Sequence, residues 1–372
     1  MLEFLPLPIT WLLFFALGWL GRLQTVKFHR ILIATASLML LTAAVGWETA
    51  SIYAAVGLAA ILIGLWIKAA RDTLLRKLVF ILSVVATVAI IAAYLKWRIY
   101  FQKYFLFLPS LSYLGFRAIA WLVSAYRKRD VQLSTGLMQM FFFPMLFVGP
   151  ISRVENFQKE RFDYREVLRR LALAFAMLIA GKFIGCGVLS DLRYASELPA
   201  WRFWLGIPAN SFEFYLTFAG YTHFVIGLGL LAGFKLPENF NNPYVATSIS
   251  DFWRRWHMSL SYWVRDYIYI PLGGNRKGLL RKCLNLIIAM GIMGIWHGLT
   301  LNFLIWGLFH GSLLSIESVA AHHGWAPLQR IFGRAYVSAK VAIVFILVSF
   351  GWLLFRYPVS EFSIYMKGLV SW

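Results

Sequence analysis

Long apolar stretches separated by short polar ones make up most of this chain. Runs near 5–20, 31–46, 51–67, 78–95, 104–126, 170–190, 202–233, 284–318 and 337–356 carry few charges. Each predicts helix on a scale that suits a bilayer crossing, which takes about 20 apolar residues. The 202–233 run fits one long helix or two short ones, and 284–318 fits two. The first run follows Glu3 rather than a basic leader and lacks a small-residue cleavage site, so it is read as a retained span.

Two stretches break the pattern. Residues 132–150 are apolar but interrupted by Pro144, Gly149 and Pro150. Proline frees backbone groups that lipid cannot satisfy, so this segment is expected to re-enter rather than span, buried in protein or lining a cavity. Residues 250–270 are too polar and too aromatic for a span. On one continuous helix, Phe252, Trp253, Trp256, Leu260, Trp263, Val264 and Tyr267 share an arc, with Asp251, Arg254, Ser261 and Arg265 opposite and His257 at the border. That predicts an interfacial helix. It either anchors the fold or carries His257 at the mouth of a cavity. The loop 270–278 that follows, with Gly273, Gly274, Arg276 and Lys277, reads as a basic cytoplasmic turn or a phosphate cradle.

Composition settles the solvent. Hydrophobic residues are 60% of the 372 and charged ones 14%, far from the roughly 25% charged of a soluble domain. A water-soluble enzyme and a disordered chain are both excluded, and the apolar residues suffice for about ten or eleven spans. The formal charge of +20 would suggest nucleic acid in a soluble protein. Here cytoplasmic loops facing anionic lipid explain it better, and no nucleic-acid partner is expected. Arg22, Lys27 and Arg30 follow the first run, Lys68, Arg71, Arg76 and Lys77 follow the third, and residues 47–51 between them carry no basic residue. The N-terminus is therefore placed outside. Lys96, Arg98 and Lys103 depart from the alternation. Cys186 and Cys283 form no CxxC pair and no disulfide framework.

His297 is the sharpest chemical feature. It lies between apolar runs, flanked by Trp296 and Gly298, with Gly291 and Gly294 at helical spacing. An ionisable side chain at membrane depth faces a cavity or the bundle interior, and a satisfied core histidine is the plain alternative. Imidazole can take a proton from a hydroxyl near neutral pH. No Gly-x-Ser-x-Gly elbow accompanies it, and His257 and His297 have no partner spacing that suits a metal, so no metal site is expected. A base without nucleophile or metal suits direct transfer of an activated acyl group to an alcohol. His310 and His223 lie in apolar helices without polar sequence neighbours, and His322 and His323 sit in a polar loop.

The ordered motifs Pro237–Tyr244, Ser250–Ser261, Arg265-Asp266-Tyr267 and Trp296-His297-Gly298, with Gly149–Arg153 and Phe218–Tyr221, resemble the membrane-bound O-acyltransferase family. The likeness is strongest over 105–315, and closest to a bacterial branch that includes alginate O-acetylases and teichoic-acid D-alanyl transfer proteins. It implies one all-α polytopic domain over 1–372, with re-entrant and interfacial helices around a central tunnel. His297 would be the catalytic base and His257 the second catalytic histidine. Trp296, Asn239, Asn241, Arg254 and Asp251 are candidates for positioning substrate.

The donor implied is a cytoplasmic thioester, acetyl-CoA or acyl carrier protein phosphopantetheine, with no covalently bound cofactor. The acceptor is a cell-envelope polysaccharide, and D-alanyl transfer to teichoic acid is the alternative. Membrane lipid, a donor or carrier protein and an extracytoplasmic acyltransferase are the implied partners, and the location is the bacterial inner membrane. A non-enzymatic transporter is the distant alternative. One departure stands out. The branch often carries Asp in the region that here reads Leu216–His223, without either carboxylate.

Overall fold

The computed structural model describes residues 16, 25–71, 73–100, 111–129, 131–146, 149–157, 162–187, 200–324, 329–359 and 361–362. Among them the protein is all-helical, with no strand. The helices, in chain order, are α1 Val26–Val45, α2 Trp47–Ala69, α3 Leu74–Tyr100, α4 Leu111–Tyr126, α5 Leu133–Phe141 and α6 Tyr164–Gly187. They continue with α7 Ala200–Leu231, α8 Ile249–Arg255, α9 Met258–Val264, α10 Gly278–His297, α11 Leu301–His322 and α12 Gln329–Arg356. The expected span at 5–20 and the cations Arg22 and Lys103 lie outside the described residues.

Among the described residues, seven helices are long and apolar enough to cross a membrane: α1, α2, α3, α7, α10, α11 and α12. The 202–233 run is one helix of 32 residues that passes through Pro208, and 284–318 is two, as its length allows. Helix α3 has the highest mean hydropathy of the seven, 2.7, and only 6% of that window is buried in the protein. Such a face suits lipid.

The chain divides into two compact units. Unit 1 comprises Met1–Ala172 and Tyr221–Pro237, and unit 2 comprises Leu173–Gly220 and Glu238–Trp372. Helices α6 and α7 each contribute to both.

In unit 1, α4 is buried along almost its whole length and packs against α2 and α3, with Trp121 fully enclosed. The proline-broken segment behaves as its chemistry requires. Helix α5 is nine residues long and mostly buried, and it runs into a single 3-10 turn, Phe143–Met145, in which Pro144 sits at the start. The freed carbonyls find a cation. Arg117, fully buried on α4, donates to the carbonyls of Gln139 and Met140 at 3.4 Å each and to that of Met145.

Three more cations donate to main-chain carbonyls, Arg76 at the ends of α2 and α4. Arg30 reaches the Phe157 carbonyl through Nε at 3.0 Å and Nη2 at 2.7 Å. Lys68 donates to the Val131 carbonyl at 2.9 Å, and Arg76 donates to those of Ile67 at 2.9 Å and Tyr126. Part of the basic excess is therefore structural as well as topological, because terminal helix carbonyls lack intrahelical partners.

In unit 2, α10 and α11 form a hairpin that packs along its length. The approach is close enough that a Cβ on Gly294 would collide with the Phe303 carbonyl, and backbone cannot step aside. Small residues at a crossing let helices approach to this distance in a membrane.

The 250–270 stretch departs from its expected form. It is two short helices, α8 and α9, broken at His257, and then a π-helical turn Arg265–Tyr269. The apolar arc is also enclosed by protein rather than offered to headgroups. Phe252, Trp256 and Leu260 are at most 2% exposed, and Trp253, Trp263 and Val264 are buried as well. Aromatic partners on α7, α11 and α12, remote in sequence, outcompete the interface for those rings.

Candidate active site

The break at His257 has a local cause on each side. Ser248 caps α8 by accepting the Asp251 N–H at 3.0 Å, and the Asp251 carboxylate, in the first turn, suits the positive end of the helix. That carboxylate also receives Arg255 Nε at 3.0 Å, and Arg254 lies 3.6 Å away with its side chain exposed. Helix α8 ends at Trp256, and His257 takes the left-handed conformation at φ 41°, ψ 53°. Asn239 then secures the start of α9. Its Oδ1 accepts Ser259 Oγ at 2.6 Å and the Ser259 N–H at 3.3 Å, and its carbonyl accepts the Met258 N–H at 2.9 Å. A buried asparagine thus supplies acceptors for orphan amides of a short helix.

Of the positioning candidates, Asn239 holds the residues beside His257. Asn241 is exposed and pairs through its backbone with Arg255, while Asp251 and Arg254 serve α8 itself. Trp296 lies against His297, ring centroids 4.4 Å apart.

Helices α7 to α12 converge on one aromatic enclosure. His257 stands edge-on to Phe218 of α7 at 4.8 Å, and Trp256 packs on Trp352 of α12 at 4.7 Å. His297, at the last turn of α10, stands edge-on to Phe355 at 4.8 Å and to Trp306 at 5.3 Å. Trp306 in turn separates His297 from His310, one helical turn further along α11 and 5.1 Å from the indole. His310 is fully buried, also edge-on to Trp253 at 5.2 Å, and neither of its nitrogens has a hydrogen-bond partner among the described residues. Gly351 faces it with no Cβ, where one would sit 2.6 Å from Nε2.

His257 Nε2 is likewise buried, with no hydrogen-bond partner among the described residues. Burial, and after it the nearby His297 imidazole, push the proton affinity of His257 below that of an ordinary histidine. It is therefore neutral at pH 7, with a lone pair to offer.

A cavity of about 270 Å³ adjoins the enclosure. It is lined by Asn210, Phe214, Trp352, Phe355 and Arg356. Phe355 forms part of its wall and also touches His297. Arg356 is fixed by Nη1, which donates to Asn210 Oδ1 at 2.8 Å and to Glu213 at 3.0 Å.

His297 and His257, the two histidines that sequence singles out, therefore share one enclosure. Sequence does not single out His310, Phe214, Phe355 or Arg356. For His310 the available signal is its i+4 spacing from Trp306, with Gly307 and Gly311 alongside. His223 belongs to unit 1, with Nδ1 3.0 Å from Arg170 Nη1. His322 and His323 are exposed. No cluster of three His, Cys, Asp or Glu side chains that could hold a metal occurs among the described residues.

The arrangement offers buried imidazoles, aromatic walls and a cavity that shares Phe355 with one of them. The family model for MBOAT, the membrane-bound O-acyltransferase family, matches residues 61–359. The chain belongs to the MBOAT family.

Among curated MBOAT relatives, the "Probable alginate O-acetylase AlgI" of Pseudomonas aeruginosa is 36% identical over 259 residues, covering 66% of this chain and 48% of its own length. The peptidoglycan O-acetyltransferase of Helicobacter pylori is 30% identical over 348 residues, covering 80% of this chain and 65% of that protein. The teichoic acid D-alanyltransferase of Bacillus subtilis is 30% identical over 272 residues, covering 66% and 68%. The chain spans about half the length of the alginate-type relatives it matches. MBOAT membership and the seven apolar helices make it a multi-pass membrane protein.

Proposed function

We propose that this MBOAT protein transfers an acyl group, acetyl in the first instance, from a cytoplasmic thioester to a hydroxyl of a cell-envelope polysaccharide outside the bacterial inner membrane. The observation that carries this is His297, set in an aromatic enclosure with His257 and next to a cavity. His297 accepts the proton of the acceptor hydroxyl as its oxygen attacks the thioester carbonyl. The carbon–sulfur bond breaks, and the leaving thiolate takes up that proton, giving ester and thiol. His257 orients the carbonyl or, through a bound water, steadies the charge that develops on it.

The distribution of charge gives the direction. Lys68–Lys77 around the turn from α2 to α3, Arg276–Lys282 at the start of α10 and Arg330–Arg334 before the apolar part of α12 belong on the cytoplasmic side by the positive-inside rule. The far ends of α10 and α12, with His297 and Arg356, then face outward. Acetyl ranks above D-alanyl because a relative named as an O-acetyltransferase covers 80% of this chain, against 66% for the D-alanyltransferase of Bacillus subtilis.

Release of envelope esters by mild alkali from wild-type and His297→Ala cells tests the reading. Released acetate is expected to fall by about 10²–10⁴-fold at equal protein level. Unchanged acetate and D-alanine would sink the enzyme, and loss of D-alanine alone would reverse the ranking.

A further inference from the structure

Neighbouring side chains in unit 2 give an axial order, and this inference rests on the acyl-transfer reading of the site. Asn210, Phe214 and Phe218 follow one another at four-residue steps on α7, about 6 Å apart along the axis. Asn210 meets Arg356, Phe214 meets Phe355 at 5.3 Å, and Phe218 meets His257. Asn302, near the start of α11, donates to the Leu354 carbonyl at 3.5 Å, so the same ends of α11 and α12 lie together. At the other end, the Ser250 N–H donates to Glu317 at 2.9 Å. The series therefore runs from an Asn210–Glu213–Arg356 rim, past His297 and Phe355, to His257, with His310 one turn of α11 further in than Trp306. The rim lies at the end of α10 opposite the basic loop Arg276–Lys282, which is the acceptor's side.

The rim is chemically specific. Arg356 uses one nitrogen, Nη1, for both Asn210 and Glu213, and its Nη2 and Nε have no partner among the described residues. That leaves the two-donor edge of a guanidinium, the edge that matches two oxygens of a carboxylate or phosphate. Below it, Phe214, Trp352 and Phe355 line the cavity with aromatic carbon, against which the C–H groups of a sugar ring can pack. A volume of about 270 Å³ lies just under the usual range for drug-sized ligands, so it suits one sugar ring rather than a whole coenzyme.

We propose that this cavity is the acceptor subsite and that Arg356, oriented by Asn210 and Glu213, selects a sugar unit bearing an anionic group. Glu213 moderates the preference by lending a negative charge to the same guanidinium. The hydroxyl to be acylated points inward past Phe355 to His297, while the anionic group stays at the rim. Arg356 acts on which sugar is held and in what pose, not on the proton transfer.

Equilibrium binding to the purified full chain in detergent, with no donor present, tests this separately from acyl transfer. The probes are a hexuronate oligosaccharide, a phosphate-bearing sugar oligomer and a neutral hexose oligosaccharide of equal length. At least one anionic probe is expected to bind ten times more tightly than the neutral one, and which of the two does so identifies the group. Arg356→Gln should erase that preference, Arg356→Lys should keep only part of it, and Glu213→Gln should increase it several-fold. Equal binding of all three probes overturns the proposal, as does a preference that survives Arg356→Gln. If Arg356→Gln does not fold, as judged by its melting curve, Glu213→Gln decides, and a preference that it leaves unchanged or lowers overturns the proposal.

Discussion

Two sets of buried polar side chains are treated in opposite ways: the arginines Arg76 and Arg117 of unit 1, and the histidines His257 and His310 of unit 2. In unit 1 the buried cations Arg76 and Arg117 end on main-chain carbonyls of helix ends and of the proline break, and the half-buried Arg30 and Lys68 also end on main-chain carbonyls. In unit 2 His257 and His310 are enclosed by indole and phenyl rings that offer no lone pair, and three of their nitrogens have no partner among the described residues. A buried polar group without a partner costs about 1–3 kcal/mol. Arg76 and Arg117 meet that cost through backbone carbonyls of unit 1. His257 and His310 leave it standing inside the aromatic enclosure.

Removing a cation from unit 1 should give the largest loss of stability. Arg117→Met leaves the carbonyls of Gln139, Met140 and Met145 without their donor, at about 3 kcal/mol or more in total. Its melting temperature in detergent should fall well below that of the wild type, with ester formation per folded molecule unchanged. A wild-type melting curve would show that the guanidinium is dispensable there.

His310→Leu should separate stability from function in unit 2. An apolar side chain of similar size removes two unpartnered nitrogens, so the protein should melt at the same temperature or higher while envelope ester formation falls about tenfold. Lower melting with full activity would instead make His310 a packing residue, and the contrast between the units would fail.

The smallest effect concerns Glu166 at the start of α6. Hydrogen bonds from Arg169, with Arg170 adding to them, hold its carboxyl down to about 2. A depressed carboxylate contributes stability that is complete above its ordinary pKa and is lost as pH falls toward the depressed value. The pair is partly exposed, so Glu166→Gln should lower melting slightly at pH 7 and less at pH 3. An equal shift at both pH values would mean that the ion pair contributes nothing.

The contrast also explains what can be read from the chain alone. Spans are legible because lipid imposes one rule over about 20 residues at a time, and His297 is legible because it violates that rule. The protein burial of Pro144's segment follows from the same rule, but its donor, Arg117, lies 27 residues upstream and carries no local sign. Periodicity misplaces the 250–270 helix because it reports which residues share a face, not what that face meets. Trp352, about 100 residues away, and Phe214 of α7 decide that Trp256 turns inward. The deficit of carboxylates at Leu216–His223 has a structural counterpart in unit 1, where His223 pairs with Arg170.

The left-handed backbone at His257 ties two properties to one residue. Side chains other than glycine pay about 1–2 kcal/mol for that conformation, with asparagine and aspartate the most tolerant. Glycine would relax the chain there and erase the imidazole, whereas a β-branched residue would erase it and strain the turn. An inactive control is therefore best made with asparagine, which keeps the corner and a hydrogen-bonding group while giving up the titrating ring. At this position shape and chemistry are a single constraint, and neither can drift without the other.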